Sequence, residues 1–318
     1  SSRINETPKR KIQETWSDVV KQDSRGGVKF DFVNKELNDE EDFTNLLSWN
    51  ENLEKKIDHL EVNFSGSSLT DEHFARFTQN ILKNFVCCSE NGREIKSFDL
   101  DCSNTSIEDV NFESVKEVLG ESLESLRLVF DSTNFQGEEL WNIFEKMSQL
   151  KHLKLSFEKS LISSKGISTL LSDMIPVSKN FESLDLNFNG TKIDDNCVEV
   201  FMNGIIPHLD QSKNFKLSIG DTNLSNRILW KLFQSLRPIT VNLTTFELGL
   251  HNTNLYNPTL TSLFQETLSG MLNLENLGLN LSGTRIGDEG LKEMTIEKLK
   301  LKSLALNFNN THISIWRN

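Results

Sequence analysis

Along most of the chain one arrangement of apolar and polar positions keeps returning. It reads Leu-x-x-Leu-x-Leu-x-Phe-x-x-Thr-x-Ile, and x-Asp often follows. Residues 181–195, FESLDLNFNGTKIDD, and 274–288, LENLGLNLSGTRIGD, match slot for slot. Further copies begin at Ile57, Ile95, Leu123, Leu150, Leu243 and Leu301, with two weaker ones at Val28 and Phe215. The second apolar slot falls at Val28, Leu60, Phe98, Leu126, Leu153, Leu184, Phe215, Phe246, Leu277 and Leu304. Successive gaps lie between 27 and 38 residues, and four in a row are 31. Such a period marks an internal repeat.

Each unit carries two periodicities. Leu184, Leu186 and Phe188 alternate with Asp185 and Asn187, the period of two of a half-buried strand. Beyond the bend, DEHFARFTQNILKNF from Asp71 and EELWNIFEKM from Glu138 space apolar residues by three and four, which predicts amphipathic helices. One strand and one helix cannot bury their apolar faces alone, but stacked copies share a continuous core. The expected fold is therefore an α/β solenoid of about ten units, with parallel strands on the concave face and helices on the convex face. The repeat domain runs from 28 to 318 and ends in an incomplete unit. Residues 1–27 form a polar N-terminal extension, in which Ile12 to Val20 is read as a short helix capping the first unit.

These motifs resemble the leucine-rich repeat, over nearly the whole chain. The helical convex side is similar to the ribonuclease-inhibitor-like branch of that family. Two departures stand out: an extra Leu-x-Phe or Leu-x-Leu step in the strand segment, and Thr in the slot where that family places Asn or Cys. Variant repeats of this kind, with a trailing Gly-Asp-Glu-Gly as at Gly287–Gly290, are similar to those of ciliates and other protists. The resemblance implies a binding module built on a horseshoe.

The Thr slot is held by Thr105, Thr133, Thr191, Thr222, Thr253, Thr284 and Thr311, and by Lys35, Ser67 and Ser160 in the remaining units. A hydroxyl there can donate to one carbonyl of the bend and accept from one amide, so the column is read as a structural ladder. Binding is assigned to the outward strand slots. Their charged members are Glu61, Asp99, Asp101, Arg127, Lys154, Asp185, Lys216 and Glu247, with both signs gathered around Asp99, Asp101, Arg127 and Lys154.

Composition narrows the partner. A net charge of −12 argues against nucleic acid, whose phosphates need Lys and Arg, and against anionic membrane surfaces. No apolar run reaches the ~20 residues of a membrane span. Cys87, Cys88, Cys102 and Cys197 show neither a disulfide framework nor metal-ligand spacing, which favours a reducing, cytoplasmic or nuclear setting over secretion. Of these the cytoplasm, cytoskeletal or ciliary included, is preferred to the nucleus. The basic run Pro8–Lys11 is read as a solvated tail. The six histidines are scattered over different units, and no catalytic motif, cofactor site or metal site is expected. Seven Asn-x-Ser/Thr triplets inside the repeats are attributed to the repeat rather than to glycosylation. Two further readings stay open beside the scaffold: a structural component with end-to-end contact at the C-terminal edge, and a regulatory or substrate-presenting subunit of an enzyme or GTPase system.

Overall fold

The computed structural model describes residues 19–22, 26–37, 57–85, 95–294 and 296–314. Each strand copy of the repeat becomes one five-residue strand, because alternating side chains can bury one face while the other stays wet. The strands are β1 (Val20–Gln22), β2 (Gly27–Asp31), β3 (His59–Asn63), β4 (Ser97–Asp101), β5 (Ser125–Val129), β6 (His152–Ser156), β7 (Ser183–Asn187), β8 (Asn214–Ser218), β9 (Thr245–Gly249), β10 (Asn276–Asn280) and β11 (Ser303–Asn307). They form a single open sheet in sequence order. From β2 to β11 every pair is parallel and in register, and Val28, Leu60, Phe98 and the later second-slot residues through Leu304 align across it. The molecule is an α/β solenoid, with an almost wholly parallel sheet on one side of the core and helical segments on the other.

The first unit differs from the expectation. Val20 opens a strand, β1, which pairs antiparallel with β2, so the first repeat strand gains a neighbour by backbone pairing where a helical cap was expected. The earlier part of the expected capping helix, Ile12 to Asp18, lies outside the described residues, as do Cys87 and Cys88.

The opposite layer carries α1 (Asp71–Asn80), α2 (Glu113–Val118), α3 (Ser164–Met174), α4 (Asp195–Gly204), α5 (Asn226–Ser235), α6 (Asn257–Ser262) and α7 (Asp288–Leu291). Helix length follows repeat length. Among the described residues, the units after β3, β6, β7 and β8, of 38 or 31 residues between second slots, hold the ten- or eleven-residue α1, α3, α4 and α5. Those of 27 or 28 hold only α2, α7 or none, and the 31-residue unit after β9 departs from this with the six-residue α6. The amphipathic stretch Glu138–Met147 belongs to a 27-residue unit and forms no α-helix, only a 3-10 turn at Glu138–Leu140. A 3-10 turn rises ~2.0 Å per residue against ~1.5 Å for an α-helix. A short unit can therefore span the back of the solenoid only by stretching its helical segment. In the unit after β9, α6 instead runs into a π-turn at Leu263–Thr267.

Between the layers lies a core rich in phenylalanine. The slot after each strand holds Phe32, Phe64, Phe130, Phe157 and Phe188, all buried. Phe157 stacks on Phe130 and on Phe188 at 5.8 Å between ring centroids on both sides. Cys102 occupies the same slot and is fully buried. Burial pushes its thiol well above the usual range, and Cys197, another buried thiol, is pushed up to about 12 by the same cause.

Every repeat strand leaves through a left-handed residue: Asn34, Gly66, Asn104, Ser132, Lys159, Gly190, Asp221, Asn252, Gly283 and Asn310, with φ between 53° and 67°. Asn, Asp and Gly tolerate that conformation best, and all but Ser132 and Lys159 are of those types. From Asn34 to Gly283 each of these residues, Ser132 and Lys159 included, donates its amide to a carbonyl of the next unit, so the stacking holds the bend whatever the side chain. The Thr slot follows directly. All seven threonines donate Oγ1 to the carbonyl three residues back, for example Thr222 to Ile219 at 2.6 Å and Thr191 to Phe188 at 2.7 Å. The accepting half of the expected pattern is found at Thr191, from the Ile193 amide at 3.4 Å. Each hydroxyl thus closes its own bend and does not link one unit to the next. Replacing Thr222 by Val should lower stability by about 1 kcal/mol with the fold kept. The urea midpoint measures this, and a value equal to the parent's would mean that the hydroxyl adds nothing.

Candidate functional site: the outward strand face

Strand alternation sends three rows of side chains away from the core. The middle row reads Lys29, Glu61, Asp99, Arg127, Lys154, Asp185, Lys216, Glu247, Gly278 and Ala305. The structure brings its charges together two by two on neighbouring strands. Lys29 meets Glu61 at 2.7 Å, Arg127 meets Asp99 at 2.6 Å, Lys154 meets Asp185 at 3.1 Å and Lys216 meets Glu247 at 2.7 Å. The row is therefore neutral as a whole from β2 to β9, and each charge has a fixed partner. Partly exposed pairs of this sort contribute little stability, typically ~0–1 kcal/mol each. Their main effect is to hold long side chains in one place.

Arg127 forms the densest node, because it also reaches Asp101 at 2.9 Å. Burial pushes the Asp99 carboxyl above its usual range, against the opposing hydrogen bond from Arg127. Asp131, just above, is raised by burial as well, although the Ser156 hydroxyl and the Glu158 amide hold its charged form. Lys154, the next cation along this row, turns to Asp185 on β7 rather than to the acidic node.

The upper row is Asp31, Asn63, Asp101, Val129, Ser156, Asn187, Ser218, Gly249, Asn280 and Asn307. Its Asn and Asp oxygens turn back on their own chain. Asn63, Asp101, Asn187, Asn280 and Asn307 each accept from the amide two residues on, at 3.0 to 3.3 Å. This is the Asx turn, and it explains why Asn recurs there and generates Asn-x-Ser triplets at Asn63 and Asn280. These oxygens serve the bend first, so the upper row offers a partner less than its polarity suggests.

Two columns were not singled out from sequence. One sits just below the strands and reads Asp58, Lys96, Glu124, Lys151, Glu182, Lys213, Thr244, Glu275 and Lys302, linked by a continuous run of backbone hydrogen bonds. Apart from Thr244 its sign alternates from unit to unit, and Glu124 lies 3.1 Å from Lys151 and 3.7 Å from Lys96. The hydrogen bond from Lys151 holds the Glu124 carboxyl below its usual range. The signal was present two residues ahead of each second slot, but its meaning needs the unit-to-unit stacking. The other column carries asparagine amides that donate to the preceding unit's edge carbonyl: Asn180 to Ser148, Asn242 to Asp210 and Asn273 to Val241, at 2.7 to 2.8 Å.

Among the described residues no group of three or more His, Cys, Asp or Glu side chains is arranged to hold a metal ion, and no helix is long and apolar enough to cross a membrane. His59 and His152 share a sheet row three strands apart. On β11, Leu304 is 45% exposed.

No family model matches the chain, and no curated protein matches it. Solved structures do. An internalin from Listeria monocytogenes is 15% identical over 82% of this chain and 76% of its own, with a TM-score of 0.31. Internalin C2 from the same organism is 11% identical over 81% and 84%, with a TM-score of 0.40. TLR13, solved as a complex with single-stranded RNA, is 15% identical over 91% of this chain but 36% of its own, with a TM-score of 0.45.

Proposed function

We propose that the chain is a non-catalytic binding scaffold that receives a protein partner on the outward strand face. The observation that carries this reading is the middle row of four cross-strand ion pairs. They give a broad surface of both charge signs, positioned before any partner arrives. Side chains already ordered lose less entropy on binding. Mixed charge fixes the register of a partner and speeds encounter more than it adds affinity. The favoured segment is the first half, from Glu61 through Asp99, Asp101, Arg127 and Lys154 to Asp185. Lys216 and Glu247 extend it toward a small, neutral end at Gly278 and Ala305.

The pairing determines how this should be tested. Reversing Arg127 to Glu would set a third carboxylate between Asp99 and Asp101 and damage the sheet itself, so the informative changes are Lys154→Gln and Lys216→Gln. Photo-crosslinking from Ser183 on β7 and from Trp230 on α5, in cells that make the protein, identifies the face in use. The expected result is partner adducts from Ser183 only. With that partner in hand, the two Lys→Gln changes should slow association and flatten its salt dependence, with stability within about 1 kcal/mol of the parent. A third probe at Leu304 on β11 covers the C-terminal edge, and adducts confined to Trp230 and Leu304, with Ser183 bare, would replace this reading by end-to-end packing in a larger assembly.

A further inference from the structure

The helical layer lapses in one place. Because the unit after β5 is short, Trp141 to Gln149 cross the back of the solenoid as turns, beside the full-length α3. The step between them leaves a groove of about 430 Å³. Phe144, Pro176 and Val177 supply its apolar lining, while Glu145 and Asp173 place two carboxylates at its walls against the single cation Lys179. The turn is latched rather than loose. Asn142 sits in the left-handed region at φ 57°, and its amide donates to Asp173 Oδ2 at 2.7 Å.

That latch fixes the backbone next to Trp141, whose side chain is 59% exposed and the most exposed aromatic among the described residues. Trp141 stands next in the chain to Asn142, a lining residue of the groove, and Trp is among the residues that dominate binding energy where interfaces form. The charge of this stretch of chain is mostly negative. From Glu108 to Lys151 it carries ten acids and four bases; Arg127 is engaged on the strand face, and Glu124 is paired with Lys151. Crowding of negative charge shows at Glu139, whose carboxyl is raised by burial and by the neighbouring Asp109.

We propose that this groove, with Trp141 beside it, is a second docking site, taking an arginine- or lysine-rich segment of a partner protein. The aliphatic stems of such a segment lie over the exposed Pro176, above a floor formed by the buried Phe144 and Val177. Its cationic heads reach Glu145 and Asp173, and one guanidinium or ammonium stacks on the Trp141 face. The site is separate from the strand face, on the other side of the core, so a scaffold could hold two partners at once.

The test uses acetylated nona-arginine as probe, with nona-glutamate as its counterpart, and follows tryptophan fluorescence at low salt. Three proteins are compared with the parent: Trp141→Ser, the pair Glu145→Gln with Asp173→Asn, and the pair Glu289→Gln with Glu293→Gln. The last pair removes the same charge at another place on the helical side. Asn at 173 keeps an oxygen for the Asn142 amide, and the exposed Trp141 can change without cost to the core, so at least one groove variant stays folded. The expected result is affinity weaker by about tenfold in each groove variant, and by less than about twofold in the distant pair, read by labelled-peptide anisotropy where Trp141 is absent. Equal weakening in the two double variants would mean that the peptide senses net charge only, and would overturn the proposal. So would a Trp141→Ser protein that binds as the parent does.

Discussion

Leu186→Asp is expected to abolish folding of β7 and of the units on either side. Leu186 is 1% exposed and lies in register between Leu155 on β6 and Leu217 on β8. A carboxylate there would have no cation and no water. The space beside it, among Leu171, Phe188, Val198 and Phe201, amounts to about 10 Å³ and is apolar, at or below what one water needs. Leaving an unpaired charge in such a place costs several kcal/mol even after the group takes up a proton, against a net stability of ~5–15 kcal/mol for a whole domain. Because stability in a stacked array is a sum over units and their interfaces, the loss spreads from β7 to both neighbours. Hydrogen exchange should show protection gone at β6, β7 and β8, and circular dichroism should show a collapsed or split melting curve. An unchanged melting curve would contradict the strand register.

Phe157→Ala should be the costliest change that leaves the chain folded, at about 3–5 kcal/mol. Its ring is fully buried and stacks on both Phe130 and Phe188. Removing it takes away the side chain's transfer free energy and opens a void that the two flanking rings, anchored in their own units, cannot close. Phe157→Leu should cost less than half as much, since most of the volume is restored. Phe308 occupies the equivalent slot beside β11 but is only partly buried, so Phe308→Ala should cost about 1 kcal/mol. Urea midpoints of the three proteins rank the slots, and equal losses at Phe157 and Phe308 would mean that the phenylalanine column does not act as a continuous spine.

Much of the architecture was legible because its signals are local and repeated. Alternation around Leu184, Leu186 and Phe188 sets which residues face the core, and the spacing of the second slots sets the pairing of ten strands. Cys102 could be placed in the core from its slot alone. The bend threonines were also recognisable, since Ser, Thr and Asn have few ways to satisfy a backbone that turns. What those threonines bond to was only half legible: each donates within its own unit, and acceptance from an amide is found at Thr191.

The candidate site was less readable. Asp99, Arg127, Lys154 and Asp185 were singled out as charges on one face, but a list of charges does not say which ones neutralise each other. Lys154 could turn toward β5 or β7, and only the stacked geometry sends it to Asp185. For the Asn residues of the upper row, the structure adds that their oxygens are engaged by the amide two residues on.

The repeat, the strand register and the identity of the buried column were already settled in the order of the amino acids. Hydrophobic alternation with a period of two is decided within a single strand and cannot slip without exposing every Leu. Four matters waited on the folded stack: whether Glu138–Met147 becomes an α-helix, whether Val20 pairs as a strand, which cation meets which carboxylate, and where a groove opens beside Trp141. These depend on the distance each unit must span and on what its neighbour places beside it. That information lies between repeats, far apart in the chain and one strand apart in space.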